Sequence, residues 1–169
     1  MVLELDQVRK DIERWMIDFL EISHPALNNW PPCPYARQAR LSQSVDTRVG
    51  LDVYADLMDL SRNGLAGREV VIFAYDPKSW PRDRFAHDIE RANQAFLVPR
   101  DLIALEDHPD DPEWVNGVCM NQGTYALVLC QQLADLNRRA RVMAKRGFYQ
   151  GWPEDYLMDL FQWREDPRT

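Results

Sequence analysis

The chain has 169 residues, of which 46% are hydrophobic, and a formal net charge of −7 from 20 Lys and Arg against 27 Asp and Glu. That length fits a single domain over 1–169 with a sizeable core, and no apolar run approaches the ~18–20 residues that span a bilayer. The acidic balance argues against nucleic acid or an anionic membrane as partner. The charged opening "MVLELDQVRKDIERW" lacks a signal-peptide core, so the protein is expected to be soluble and cytoplasmic.

Residues 4–22 carry Val8, Ile12, Trp15, Phe19 and Ile22 at spacings of three and four, which predicts an amphipathic helix ending before Pro25. A proline-rich loop follows over 23–39, and "RLSQSVD" at 40–46 reads as a weak strand. Residues 49–62 predict a second helix, stopped at Asn63-Gly64. "EVVIFAY" at 69–75 is β-branched and aromatic on both faces, which predicts a central strand covered on both sides. A helix to about Phe96, strands at 101–106 and 125–130, a helix over 132–146 and a last helix from Pro153 complete the series. Four strands and five helices predict an α+β domain, a two-layer sandwich of helices on a small mixed sheet.

Between two of those strands, residues 107–124 have no structural period, and long irregular connections often carry function. The loops 23–39 and 107–124 share a composition. Each has a His-Pro step (His24-Pro25 and His108-Pro109) and a cysteine (Cys33 and Cys119), with Tyr35 inside the first and Tyr125 closing the second. Proline stiffens a loop by fixing φ, as a preorganised site requires. The cysteines number three, Cys33, Cys119 and Cys130, with no Cys-x-x-Cys pair, which disfavours a disulfide framework or a zinc ribbon.

These residue types point to a chemistry. Cys33 is the candidate nucleophile or ligand, and Arg37, four residues on, offers a cation to a thiolate or an anionic substrate group. The alternative for Cys33 is a small buried hydrophobe. His108 ends a strand among Glu106, Asp107, Asp110 and Asp111 and is the candidate acid or base. Tyr35, Asn121 and Tyr125 are candidates to orient substrate. His24, Cys33 and His108 together have the donor types for zinc, copper or iron, with a fourth position open; His24 at a helix end and His108 in an acidic loop also have ordinary structural explanations. Cys130, in a core-like strand, is expected to be inert.

The motifs "PCPYA" at 32–36 and "DHPDDPEWVNGVCMNQGTY" at 107–125, in that order after an N-terminal helix, resemble a bacterial domain family of unknown function marked by Cys-Pro-aromatic-Ala and a later His-Pro. Pro32 stands where that family has leucine, and Asp107 where it has phenylalanine. The resemblance implies no activity but points to Cys33 and His108. Two functions follow as expectations. One is an enzyme acting on a small polar or anionic molecule, its site between the two loops with a Cys33–His108 pair, metal-dependent if His24 joins them. The other is a non-catalytic interaction module using the loop aromatics Trp30, Trp80, Trp114 and Trp152. Neither expectation fixes a reaction or an oligomeric state.

Overall fold

The computed structural model describes residues 2–169. The first helix, α1, spans Leu5–Trp15 and buries Val8 and Ile12 of the predicted stripe; Trp15 and Phe19 are half-buried, and Ile22, past the helix end, is 52% exposed. The helix continues through a wider turn, Met16–Leu20, in which Glu21 N–H reaches back five residues to the Met16 carbonyl at 2.9 Å. Such wide turns often accompany functional sites. The expected loop 23–39 is more ordered than its prolines suggest. It holds a single tight turn, Pro25–Leu27, and then a short helix, α2, over Ala36–Leu41. The expected strand at 40–46 is therefore corrected: its first residues close α2, and the strand, β1, is Val45–Val49.

Helix α3 covers Val53–Asn63; Asp52 caps it by accepting from Ala55 N–H at 2.9 Å. Leu51, inside the range predicted as helix, is 87% exposed before the cap. Strand β2, Val70–Tyr75, is followed by α4, Arg82–Ala92, and then β3, Leu102–Asp107. The aperiodic segment 107–124 contains a small hairpin, β4 (Trp114–Val115) and β5 (Val118–Cys119). Strand β6 spans Ala126–Gln132, and the chain ends in α5 (Leu133–Lys145) and α6 (Glu154–Leu160). No helix among the described residues is long and apolar enough to cross a membrane.

The main sheet has the order β1-β2-β6-β3, with β1 parallel to β2 and the other two pairings antiparallel. The fold is thus α+β with a mixed four-stranded sheet. Its inner strands β2 and β6 are apolar on both faces. Val71, Phe73, Tyr75, Val128 and Cys130 pack with α3 and α4, while Ile72, Ala74 and Leu127 pack with α1. Helices therefore lie on both faces, one layer more than a two-layer sandwich, because neither face of β2 tolerates water.

A third apolar cluster sits beyond the sheet. Leu27 from the first loop, Val115 and Val118 from the hairpin, and Phe148, Tyr149, Trp152, Leu157 and Phe161 from the C-terminal region share it. Two asparagines hold it together from left-handed backbone positions that asparagine tolerates. Asn28 (φ 58°) donates to the carbonyls of Gly147, Phe148 and Gln150, and Asn116 (φ 51°) to those of Ala26 and Gly151. At the β3 edge, the buried Asn93 side chain bonds both backbone groups of Ala104, at 2.9 Å each. That occupies part of an edge that would otherwise be open to pairing.

One contact tests this packing. The Tyr75 ring lies against the backbone of Gly50, and a Cβ there would fall 2.2 Å from the ring. Tyr75 cannot retreat, since it is 1% exposed and its hydroxyl donates to Asp56 at 2.9 Å. Gly50→Ala is expected to cost about 2 kcal/mol and lower the melting temperature by several degrees. An unchanged melting curve would contradict the placement of Tyr75.

Candidate functional site

The two suspected loops meet, but not as expected. Ala26, Leu27 and Trp30 pack with Val115, Val118 and Met120 in the aromatic cluster, so side chains fill the space where a pocket was expected. Cys33 lies outside that cluster. Its backbone N–H donates to the Leu20 carbonyl at 3.1 Å, which fixes the loop against the wide turn ending α1.

Cys33 stands at a separate pocket of about 90 Å³ between α1, α2, the sheet and α5. The floor is Val45, Val70, Ile72 and Leu129 from three strands; Trp15, Met16, Leu20, Ala36 and Ala39 form apolar walls. Tyr35, Glu69, Gln131 and Arg139 supply the polar part of the lining. Cys33 is exposed as a residue, while protein packs around its thiol. Burial pushes the thiol above its ordinary value, and the backbone N–H groups of Tyr35 and Ala36 and the Arg139 charge oppose that shift.

Arg139 is the main cation here. It donates to Glu69 Oε1 at 2.7 Å, its Nε lies 3.1 Å from Asp135 Oδ2, and the guanidinium stacks 4.7 Å above the Tyr35 ring centroid. Burial works against its charge, but Glu69, Asp135 and Tyr35 together hold it above the usual value. Two polar atoms of the pocket residues, Trp15 Nε1 and Glu69 Oε2, are buried without a hydrogen-bond partner.

The other expected site residues are engaged elsewhere. His108 is 2% exposed and packs edge-on against Phe85, among the α4-side residues, and it does not line the Cys33 pocket. Its Nδ1 accepts from Asp110 N–H at 3.0 Å, and its Nε2 lies 2.8 Å from the Trp80 carbonyl, so a proton on Nε2 satisfies both contacts. This is a clamp between two loops, and it leaves no ring nitrogen free for proton transfer or ligation. Asn121 is likewise consumed: its amide nitrogen donates to Asp107 at 2.8 Å and its oxygen accepts from Glu113 N–H at 2.6 Å. The Tyr125 hydroxyl donates to Asp11 at 2.6 Å, tying β6 to α1. Arg37 is exposed on a shallow groove outside the pocket with Pro34, Gln38, Leu41 and Ser42. Tyr35 alone of the substrate-orienting candidates lines the Cys33 pocket.

The proposed metal set does not assemble. Among the described residues no three His, Cys, Asp or Glu side chains are grouped to hold an ion. His24 closes the tight turn through its backbone, which pairs with Trp30, Leu27 and Asn29. Cys130 is fully buried, and burial raises its thiol strongly. Of the four loop tryptophans, Trp80 and Trp152 are buried and Trp30 is half-buried, leaving Trp114 as the exposed one at 55%. Arg139, Glu69 and Trp15 were not singled out as site residues in the sequence. Asp135 stands four residues before Arg139 on α5, a pairing visible in the sequence that alone would not select a pocket.

A second concentration of charge lies at the end of β3. Glu113 is pushed up to about 7, first by burial and then by Asp107, Glu106 and Asp111, against the hydrogen bond from the Tyr156 hydroxyl at 3.2 Å. Burial also raises Glu106 and Asp107. No protein-family model, no curated protein and no solved structure matches the chain.

Two outcomes follow. As a buried clamp, His108 is structural: His108→Ala is expected to cost about 2 kcal/mol and to lower the melting temperature by several degrees. A silent substitution would contradict the clamp. For Glu113, the folded value lies above the ordinary 4.5. Its contribution is therefore complete below pH 4.5 and lost as pH rises through about 7. Glu113→Gln is expected to raise stability at pH 8 by about 1 kcal/mol relative to wild type and to flatten the fall between pH 4.5 and 7, read from melts across pH. An identical pH profile would contradict the burial of this carboxyl.

Proposed function

We propose that the protein is an enzyme acting on a small molecule held in the Cys33 pocket, with the Cys33 thiol as its nucleophile. The observation that carries this reading is the position of the thiol. Cys33 is an exposed residue lining a largely apolar pocket; burial of the thiol raises its pKa, and two backbone N–H groups and the Arg139 guanidinium oppose that rise. The thiolate is the nucleophilic species; burial disfavours it here, and the N–H groups and the guanidinium work in its favour. His108 has no part in this site. No histidine lines the pocket. The wide turn Met16–Leu20 contributes two walls and fixes the Cys33 backbone through Leu20.

The interaction-module reading retains one specific support, Trp114 at 55% exposure on the hairpin. A single exposed tryptophan is weaker support than a pocket with a thiol at its mouth, since isolated apolar side chains are ordinary on protein surfaces.

Alkylation separates the two readings. With iodoacetamide, Cys33 is expected to react well before Cys130 in the folded protein, its rate rising with pH as the thiolate forms. Arg139→Gln is expected to move that rise to higher pH, because it removes the cation that opposes burial. Peptide-level mass spectrometry over a pH series measures both effects. Labelling of Cys33 no faster than that of Cys130 would remove the nucleophile from the proposal.

A further inference from the structure

We infer that the Cys33 pocket takes a small primary amine, with an alkyl body on the apolar floor and its ammonium at Glu69. This rests on the reading of the pocket as a ligand site. The inference starts from one unmatched oxygen in a chain of ion pairs. Asp135 and Glu69 both hold Arg139, at 3.1 and 2.7 Å, and Asp135 is also paired with Arg138 on its outer side. Arg139 is already committed on both sides and has stacked on Tyr35, so it is a poor receptor for an anion. The earlier expectation of an anionic ligand is replaced on this ground.

The free end of the chain is at the pocket. Glu69 uses Oε1 for Arg139, while Oε2 is buried with no hydrogen-bond partner. A buried carboxylate oxygen without a donor is costly. An ammonium there supplies the missing donor. Oε2 has no open surface in the empty pocket, and rotation about the last side-chain bond of glutamate, a soft torsion, presents it to a ligand. The rest of the lining is mainly apolar and suits an alkyl chain better than a polar body.

The test compares three molecules of one shape: n-butylamine, butan-1-ol and butyrate, each titrated into the full chain. The indole N–H resonance of Trp15, assigned through Trp15→Phe, reports occupancy, because this group lines the pocket and has no partner. Slowing of Cys33 alkylation reports it independently. Butylamine is expected to bind about tenfold more tightly than butyrate, the scale of one charge-assisted hydrogen bond, and Glu69→Gln is expected to abolish that preference. The comparison on wild type stands even if the variant does not fold. Butyrate binding as well as butylamine, a preference that survives in folded Glu69→Gln, or no response of Trp15 to any of the three would overturn the inference. Protection of Cys33 by butan-1-ol or butyrate alone would leave the pocket reading intact and reject only the amine. A Cys33 that alkylates no faster than Cys130 would reject the pocket reading itself.

Discussion

The two inner strands, β2 and β6, are buried on both faces over most of their length. From Val71 to Tyr75 every side chain of β2 is at most 5% exposed, and four of the first five residues of β6 are fully buried. A strand buried on both faces forces the helices to divide, and here α1 covers one side while α3 and α4 cover the other. The position of each candidate residue follows from this division. Cys33 follows α1 and opens onto the face floored by Ile72 and Leu129, while His108 follows β3 and turns into the opposite group beside Phe85. A sheet stands between the two side chains that the sequence suggested as partners.

Long regular elements were legible in the sequence because their periods are local. The apolar spacing of Val8 and Ile12 in α1 and the doubly apolar β2 need no knowledge of the rest of the chain. The segment 36–49 was misread because "ARQARL" forms a single short helix with only Ala36 and Ala39 buried, too few positions to show a period. The likeness between the two loops in composition was informative in part. They do touch, through Ala26, Leu27 and Asn116, but the His108 ring is spent on backbone contacts and His24 serves the turn through its backbone alone. A histidine that clamps a carbonyl and one that moves a proton look alike in a sequence. They differ in which backbone groups the fold brings to the ring nitrogens, and tertiary structure alone decides that.

The pocket was half legible. Cys33 and Tyr35 come from the conspicuous Pro-Pro-Cys-Pro-Tyr stretch, but Trp15, Glu69 and Arg139 arrive from three other elements. Arg139 reads as one of many helix cations until the fold sets Glu69 beside it, 70 residues away in sequence. Its two carboxylate partners and the Tyr35 ring hold it rigidly, and a rigid cation near a thiol acts on it without first having to be ordered. The same embedding leaves the Cys33 thiol with opposed influences, burial raising its pKa while Arg139 and two backbone N–H groups lower it. Such a thiol depends on what enters the pocket, since a ligand changes both the solvation and the field around the sulfur.

The central claim is that Cys33 belongs to a pocket that selects what approaches it. Reversible disulfide exchange measures this directly: the folded protein is equilibrated with a set of small disulfides of equal intrinsic reactivity, at fixed thiol reductant, and the adducts are read by intact mass. The account predicts that a minority of fragments accumulate on Cys33 well above the level set by the reductant, and that unfolding the protein abolishes the selection. Equal occupancy of Cys33 by every fragment, in folded and unfolded protein alike, would show an ordinary surface thiol and contradict the account.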